Sequence, residues 1–227
     1  MRGPRLGRSP GRAQVRGALT ADAPALRRPE LADAQAIAGL ILLASPSIEN
    51  VVGDRETALR AAEAAFRSDR TIWGHRWALV ADDDAGEPIG LLTAFPGKWY
   101  GSLALGTGVT LARAAGARHA ADLTKRGRVL NSLIAPVSRE VLFVSALAVR
   151  TDHRGRGIGS ALLERAVAGA KELHLGVAID APLEDRAARR LPESLGFKEV
   201  AVRRTPPPDR ALIPAEGLVR LELPAQT

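Results

Sequence analysis

The chain has no cysteine, a single methionine, a single tyrosine and only 4% aromatic residues. Without a thiol, disulfides, thiolate metal sites and cysteine nucleophiles are excluded. The four histidines, His75, His119, His153 and His174, stand at no metal-ligand spacing, so no metal is expected. Long apolar runs are missing too. The longest, Ile37 to Ala44, falls far short of the roughly 20 residues that span a bilayer, and no stretch of roughly 7 to 15 apolar residues marks a secretory signal. A soluble, cytoplasmic protein without a membrane partner is the expectation.

Acids are nearly absent from one end. Residues 1 to 28 hold seven Arg against one acid, Asp22, and the remaining 25 Lys and Arg face 24 Asp and Glu. The net charge of +7 therefore belongs to the N-terminal stretch, and the rest is close to neutral, so nucleic acid is not an expected partner of the folded part. Residues 1–24 are rich in Gly, Pro and Arg without apolar periodicity, which predicts a disordered extension. Its make-up also resembles an organelle transit peptide or a nucleic-acid arm. A chain shortened to begin at Asp22 is expected to melt like the full one.

What is present, 46% hydrophobic residues in 227, suffices for one domain over residues 25–227. A short extended piece at Ala25 to Arg28 leads into Glu30 to Ala44, where Ile37, Leu40, Ile41 and Ala44 recur at helical spacing. Asn50 to Gly53 reads as a break, and Arg55 to Phe66 as a second helix with Leu59, Ala62 and Phe66 on one side. Trp77 to Ala81 and Pro88 to Phe95 read as a hairpin closed by Asp82 to Glu87. Residues 96–136 mix glycines with apolar residues at uneven spacing. A structureless loop of that length is unexpected in a compact domain, so one or two helices are predicted there, as core padding or as a wall of a substrate pocket.

Val141 to Val149 is an apolar strand candidate, followed by RTDHRGRGIGS and an amphipathic helix from about Ile158 to Leu173. Gly155, Gly157 and Gly159 have no Cβ, so the backbone can turn sharply and bring successive N–H groups to an anion, reinforced by the unpaired N–H groups at the helix start. That is a phosphate cradle. A P-loop would need a Lys, and Gly159 is followed by Ser160 and Ala161. A dinucleotide fingerprint needs a third glycine where Ser160 stands. Strand Leu175 to Ala181, a helix from Asp185 as N-cap to Leu195, the C′ glycine Gly196, strand Phe197 to Val202, a Pro-rich turn at Thr205 to Asp209 and strand Leu218 to Leu223 complete the chain.

Arg154, Gly157 and Gly159 after a strand ending Leu147-Ala148-Val149 form RxxGxG, which resembles the acetyl-CoA motif of the GNAT superfamily of N-acetyltransferases. Ala188, Leu191, Gly196 and Phe197 are similar to a second motif of that family, NxxAxxLYxxxGF, and the order of elements over Ala25 to Leu223 matches if the insertion is allowed. The resemblance implies an α/β fold of α+β type, a mixed sheet of about seven strands flanked by helices with a helical insertion between the third and fourth strands. It also implies acetyl-CoA as cosubstrate, an amine acceptor, and a monomer or homodimer. Leu147, Ala148, Val149, Arg154, Gly155, Arg156, Gly157, Ile158, Gly159 and Ser160 would hold acetyl-CoA, and Asp185 stands where Asn usually helps. Pro192 replaces the Tyr that commonly protonates the departing thiolate and predicts a kinked or late-starting helix.

Attack on a thioester needs a neutral amine, whose unperturbed pKa is about 10.4, so a base or ordered water must take its proton. Asp180, where some family members carry an acidic base, and Glu140, just before the strand, are the candidates. A backbone N–H near Leu147 would stabilise the oxyanion, and a thiolate of pKa about 8.5 can leave without an acid. Replacing Gly157 by Val is expected to harm coenzyme binding more than folding. An acyl-CoA sensor without turnover and nucleic-acid binding through the basic extension are the competing functions.

Overall fold

The computed structural model describes residues 25–116 and 120–225. The Arg-rich stretch 1–24, read above as an extension, lies outside the described residues. Seven strands form one sheet in the order β1-β2-β3-β4-β5-β7-β6, with β1 Leu26–Arg27, β2 Ala78–Asp82, β3 Pro88–Pro96, β4 Val141–Val149, β5 Gly176–Pro182, β6 Lys198–Arg204 and β7 Gly217–Leu223. All neighbours are antiparallel except β4 and β5.

Helices cover both faces. On one lie α1 (Ala34–Ala44), α2 (Ser47–Val52) and α3 (Arg55–Phe66), joined by α4 (Tyr100–Ala115) and α5 (Ala120–Leu133) of the insertion. Ile37, Ile41, Phe66, Leu91, Leu111 and Leu133 meet in that layer. On the other face α6 (Ile158–Glu172) places Leu162, Leu163 and Ala166 against Leu92, Val144 and Ile179, with Leu191 of α7 (Arg186–Ser194) at the margin. No helix among the described residues is long and apolar enough to cross a membrane.

Local chemistry sets the ends of these elements. Asp54 caps α3 by accepting from the Thr57 N–H at 2.8 Å. Asp185 does the same for α7 through the Ala188 N–H at 3.0 Å. At the far end of α7 the Phe197 N–H reaches the Pro192 carbonyl and the Gly196 N–H reaches Glu193, with Gly196 at φ +89°, a Schellman stop. Pro192 thus sits in the last turn, where its carbonyl serves the cap. The helix starts directly after Asp185, not late as its proline suggested. The break expected over Asn50 to Gly53 narrows to Gly53 at φ +110°. Ser47–Val52 is helical because Ile48, Val51 and Val52 bury one side of a short helix, so three helices stand where two were expected.

Arg27 ties the first strand to its neighbours. It donates to both Asp33 oxygens at 2.7 and 3.1 Å and to Asp82, and the hydrogen bond from Arg27 holds the Asp33 carboxyl below its ordinary value. Arg27→Ala should cost about 1–2 kcal/mol, since the guanidinium is partly exposed. A carboxyl with a depressed native pKa contributes stability above its unfolded value, and that contribution fades as pH falls through the native one. Urea melts should therefore show a smaller gap between parent and variant near pH 3 than at pH 7.

Candidate active site

β4 carries the feature that opens the site. Thr93 pairs with Ala146 but Ala94 with Val144, so Ser145 is an extra residue, a β-bulge. Its hydroxyl donates to the Ile72 carbonyl at 2.7 Å and lies 2.8 Å from Thr93 Oγ1. The bulge shifts the side-chain phase: Leu142 and Val144 before it, and Leu147 and Val149 after it, all pack on the α6 side. At the same point the parallel pair separates. Val141 to Val144 pair with Gly176 to Ile179, and beyond that β4 keeps only β3 while β5 keeps only β7.

The parting exposes backbone groups. The Arg150 N–H donates to Ile89 at 2.8 Å, so by strand alternation Ala148 also faces β3 while Leu147 and Val149 face the side that β5 has left. Of the three strand residues expected to hold acetyl-CoA, Ala148 has its backbone committed to Leu91 and its side chain buried. Leu147 and Val149 have no ladder partner on the open side.

The turn into α6 has the geometry of an anion cradle. Gly155 and Gly157 both have φ +79°, and a Cβ built on either meets nothing within 4 Å. Gly157 precedes the first helical residue, which leaves the Ile158, Gly159 and Ser160 N–H groups without intrahelical partners. Arg154 and Arg156 are exposed, and Arg154 Nε donates to the Val149 carbonyl at 3.3 Å. Two motif residues act otherwise than expected. The Ile158 side chain is 4% exposed in the core, and a Cβ on Gly159 would stand 3.2 Å from Leu191 Cδ2, so the third glycine lets α6 approach α7 closely.

A cavity of about 410 Å³ opens where the strands part. Val144 and Ser145 of β4, Asp180 and Pro182 of β5, and Tyr100, Leu111 and Leu130 of the insertion line it, so the insertion both fills core and walls the cavity. Arg220 of β7, 1% exposed, holds Asp180 with two hydrogen bonds of 2.5 and 2.9 Å. The same guanidinium donates to the Ala135 and Pro136 carbonyls at 2.9 and 3.2 Å and lies 5.0 Å from the Phe143 ring centre. Burial pushes the Asp180 carboxyl above its ordinary value, and Arg220 pulls it part of the way back. The Tyr100 hydroxyl is raised by burial and then by the Asp180 charge.

Asp180 and the cradle are therefore on adjoining strand ends, while Glu140 is exposed at the opposite end of β4, with its carbonyl accepting from Gly176, and does not line the cavity. Asp185 is occupied as the α7 cap. Arg220 and Tyr100 went unread in the sequence. The one available signal was an Arg in the middle of the strand candidate Leu218 to Leu223, which a buried strand tolerates only beside a carboxylate.

The model of the acetyltransferase (GNAT) family matches residues 47–197. Among curated proteins none matches the chain in sequence. Among solved structures, an acetyltransferase is 21% identical at TM-score 0.62, covering 89% of this chain and 100% of that one. An N-acetyltransferase from Staphylococcus aureus Mu50 is 14% identical at TM-score 0.61 over 88% of this chain and 100% of that one. A Drosophila melanogaster polyamine N-acetyltransferase, an enzyme that forms N-acetylagmatine, is 18% identical at TM-score 0.54 over 88% and 98%. These identities speak for the fold.

Proposed function

Because the chain belongs to the GNAT acetyltransferase family, we propose that it moves the acetyl group of acetyl-CoA to an amine held in the cavity between the parted strands and the insertion. The observation that carries this reading is the parting itself, which leaves the Leu147 backbone groups and the Val149 N–H without a strand partner beside a cavity lined by Asp180. Acetyl-CoA would supply an activated acyl thioester. The residues present fit it: the glycine turn offers open space before successive N–H groups, Arg154 and Arg156 add positive charge for a pyrophosphate, and the edge of β4 offers backbone partners to an extended amide-bearing arm.

Each residue then has a task. The Leu147 N–H faces the open side and would stabilise negative charge developing on the thioester oxygen. Asp180 would bind the incoming ammonium and take its proton directly or through water. Two hydrogen bonds from Arg220 leave the carboxylate further lone-pair positions for that work. Burial raises its pKa toward the range useful in a base. Pro192 leaves no tyrosine hydroxyl in α7, and a thiolate leaving group does not require one.

Two measurements test the reading. Acetyl-CoA at millimolar concentration should raise the melting temperature, because it binds only the folded state; an unchanged melt removes the proposal. Thiol release should then depend on an added amine, and acetyl-CoA binding with no thiol release whatever amine is added would favour the sensor reading that Pro192 invites. Asp180→Asn should lower kcat/KM by about 10²-fold or more. In the parent enzyme kcat/KM should fall toward acid through the raised Asp180 value, because the base works only when deprotonated.

A further inference from the structure

The lining of the cavity restricts the acceptor further, on the premise that the acetyl-transfer reading holds. Its only charged lining residues among those described are Asp180 and Glu184, both acidic and four positions apart at the end of β5. Among the described residues no Lys, Arg or His lines it. Away from β5, Trp73, Tyr100, Leu111, Leu130, Ile134 and Ile213 build an apolar wall, and Asn50 and Asn131 with Ser45 and Ser47 are the neutral polar residues that also line the cavity. Two of the hydroxyls that line it are already engaged within the protein. Thr107 Oγ1 donates to the Leu103 carbonyl and accepts the Ile72 N–H, and Ser145 Oγ bonds Ile72 and Thr93.

From this polarity we infer that the acceptor is a primary amine carried on a compact apolar body, an arylalkylamine or a comparable cyclic or branched amine. Its ammonium sits at the Asp180 end and its body lies against the insertion helices. A free amino acid would bring a carboxylate to a cavity with no cation among its described lining residues. A polyamine reaching along the cavity would need an acid on the apolar wall, whereas both carboxylates, Asp180 and Glu184, stand at the β5 end. A peptide N-terminus would lay several amide groups along the apolar wall, where their lost hydration is not made good. An apolar body instead gains from leaving water, and about 410 Å³ holds a ring and a short arm.

Transfer to 2-phenylethylamine, agmatine and a hexapeptide with a free N-terminus, each with the full chain and saturating acetyl-CoA, tests this. The expected result is a kcat/KM for phenylethylamine at least tenfold above the other two. Preference for agmatine or the peptide would overturn the inference while leaving acetyl transfer intact. Absence of both an acetyl-CoA thermal shift and thiol release would instead strike the underlying reading. If acetyl-CoA binds but phenylethylamine is neither acetylated nor detected by calorimetry on the CoA complex, the inference is wrong.

Gly127→Leu supplies an independent arm. Gly127 lines the cavity from α5, and a Cβ built there meets nothing within 4 Å, so the variant should fold. It should raise the KM for phenylethylamine at least fivefold while leaving ethylamine unaffected. Equal effects on both amines, or none on either, would count against the assigned position of the apolar body.

Discussion

Arg220→Ala is expected to lower stability by about 3–5 kcal/mol, the range for removing one member of a buried ion pair. At roughly 2–4 °C per kcal/mol for a domain of this size, the melting temperature should drop by about 10 °C. The cause is the partner left behind: Asp180 would remain largely buried without its two hydrogen bonds, and the Ala135 and Pro136 carbonyls after α5 would lose their donor. Arg220→Met combined with Asp180→Leu should recover most of that stability, because two apolar groups leave no charge buried, yet it should not recover transfer activity. In Arg220→Met alone, the carboxyl loses the neighbour that pulls its pKa down, so the acid limb of kcat/KM should move to higher pH. A stable, fully active Arg220→Ala protein would show that the pair neither supports the fold nor positions Asp180.

The second large effect is at Gly157, and the structure changes what a substitution there does. With φ +79° and ψ −1° the residue is left-handed, so Gly157→Val strains the backbone by about 1–3 kcal/mol before any ligand is considered. The expectation that binding would suffer more than folding therefore does not hold for a β-branched side chain. Gly157→Asn separates the two effects, because asparagine tolerates this conformation and its Cβ meets nothing within 4 Å. Its melt without ligand should stay within about 1 kcal/mol of the parent. Its acetyl-CoA affinity should fall at least tenfold, about 1.4 kcal/mol, because a side chain now occupies the space before the helix start. Arg154→Ala should weaken binding less, with a difference that shrinks as salt rises, since several N–H groups remain. Unchanged affinity in Gly157→Asn would return the glycine turn to an ordinary strand-to-helix connection.

The sequence by itself determined what local chemistry fixes. Apolar periodicity over Ile37 to Ala44 and Ile158 to Leu173 placed α1 and α6, Asp185 and Gly196 bounded α7, and Gly155 and Gly157 announced a left-handed turn. All of these depend on residues a few positions apart, whose preferences are set by backbone dihedrals, caps and helical spacing. Only the tertiary structure decided the site. Nothing in VLFVSALAV marks Ser145 as a bulge, because the extra residue is defined by its partner strand β3. The parting of β4 from β5 and the insertion of β7 between β5 and β6 depend on pairings across the sheet. Asp180 meets Arg220 from 40 residues away, and Tyr100 reaches the same cavity from an insertion with no clear period. Contacts between distant residues leave no periodic trace along a chain, since the free energy that selects them comes from burial and charge pairing once the layers have packed.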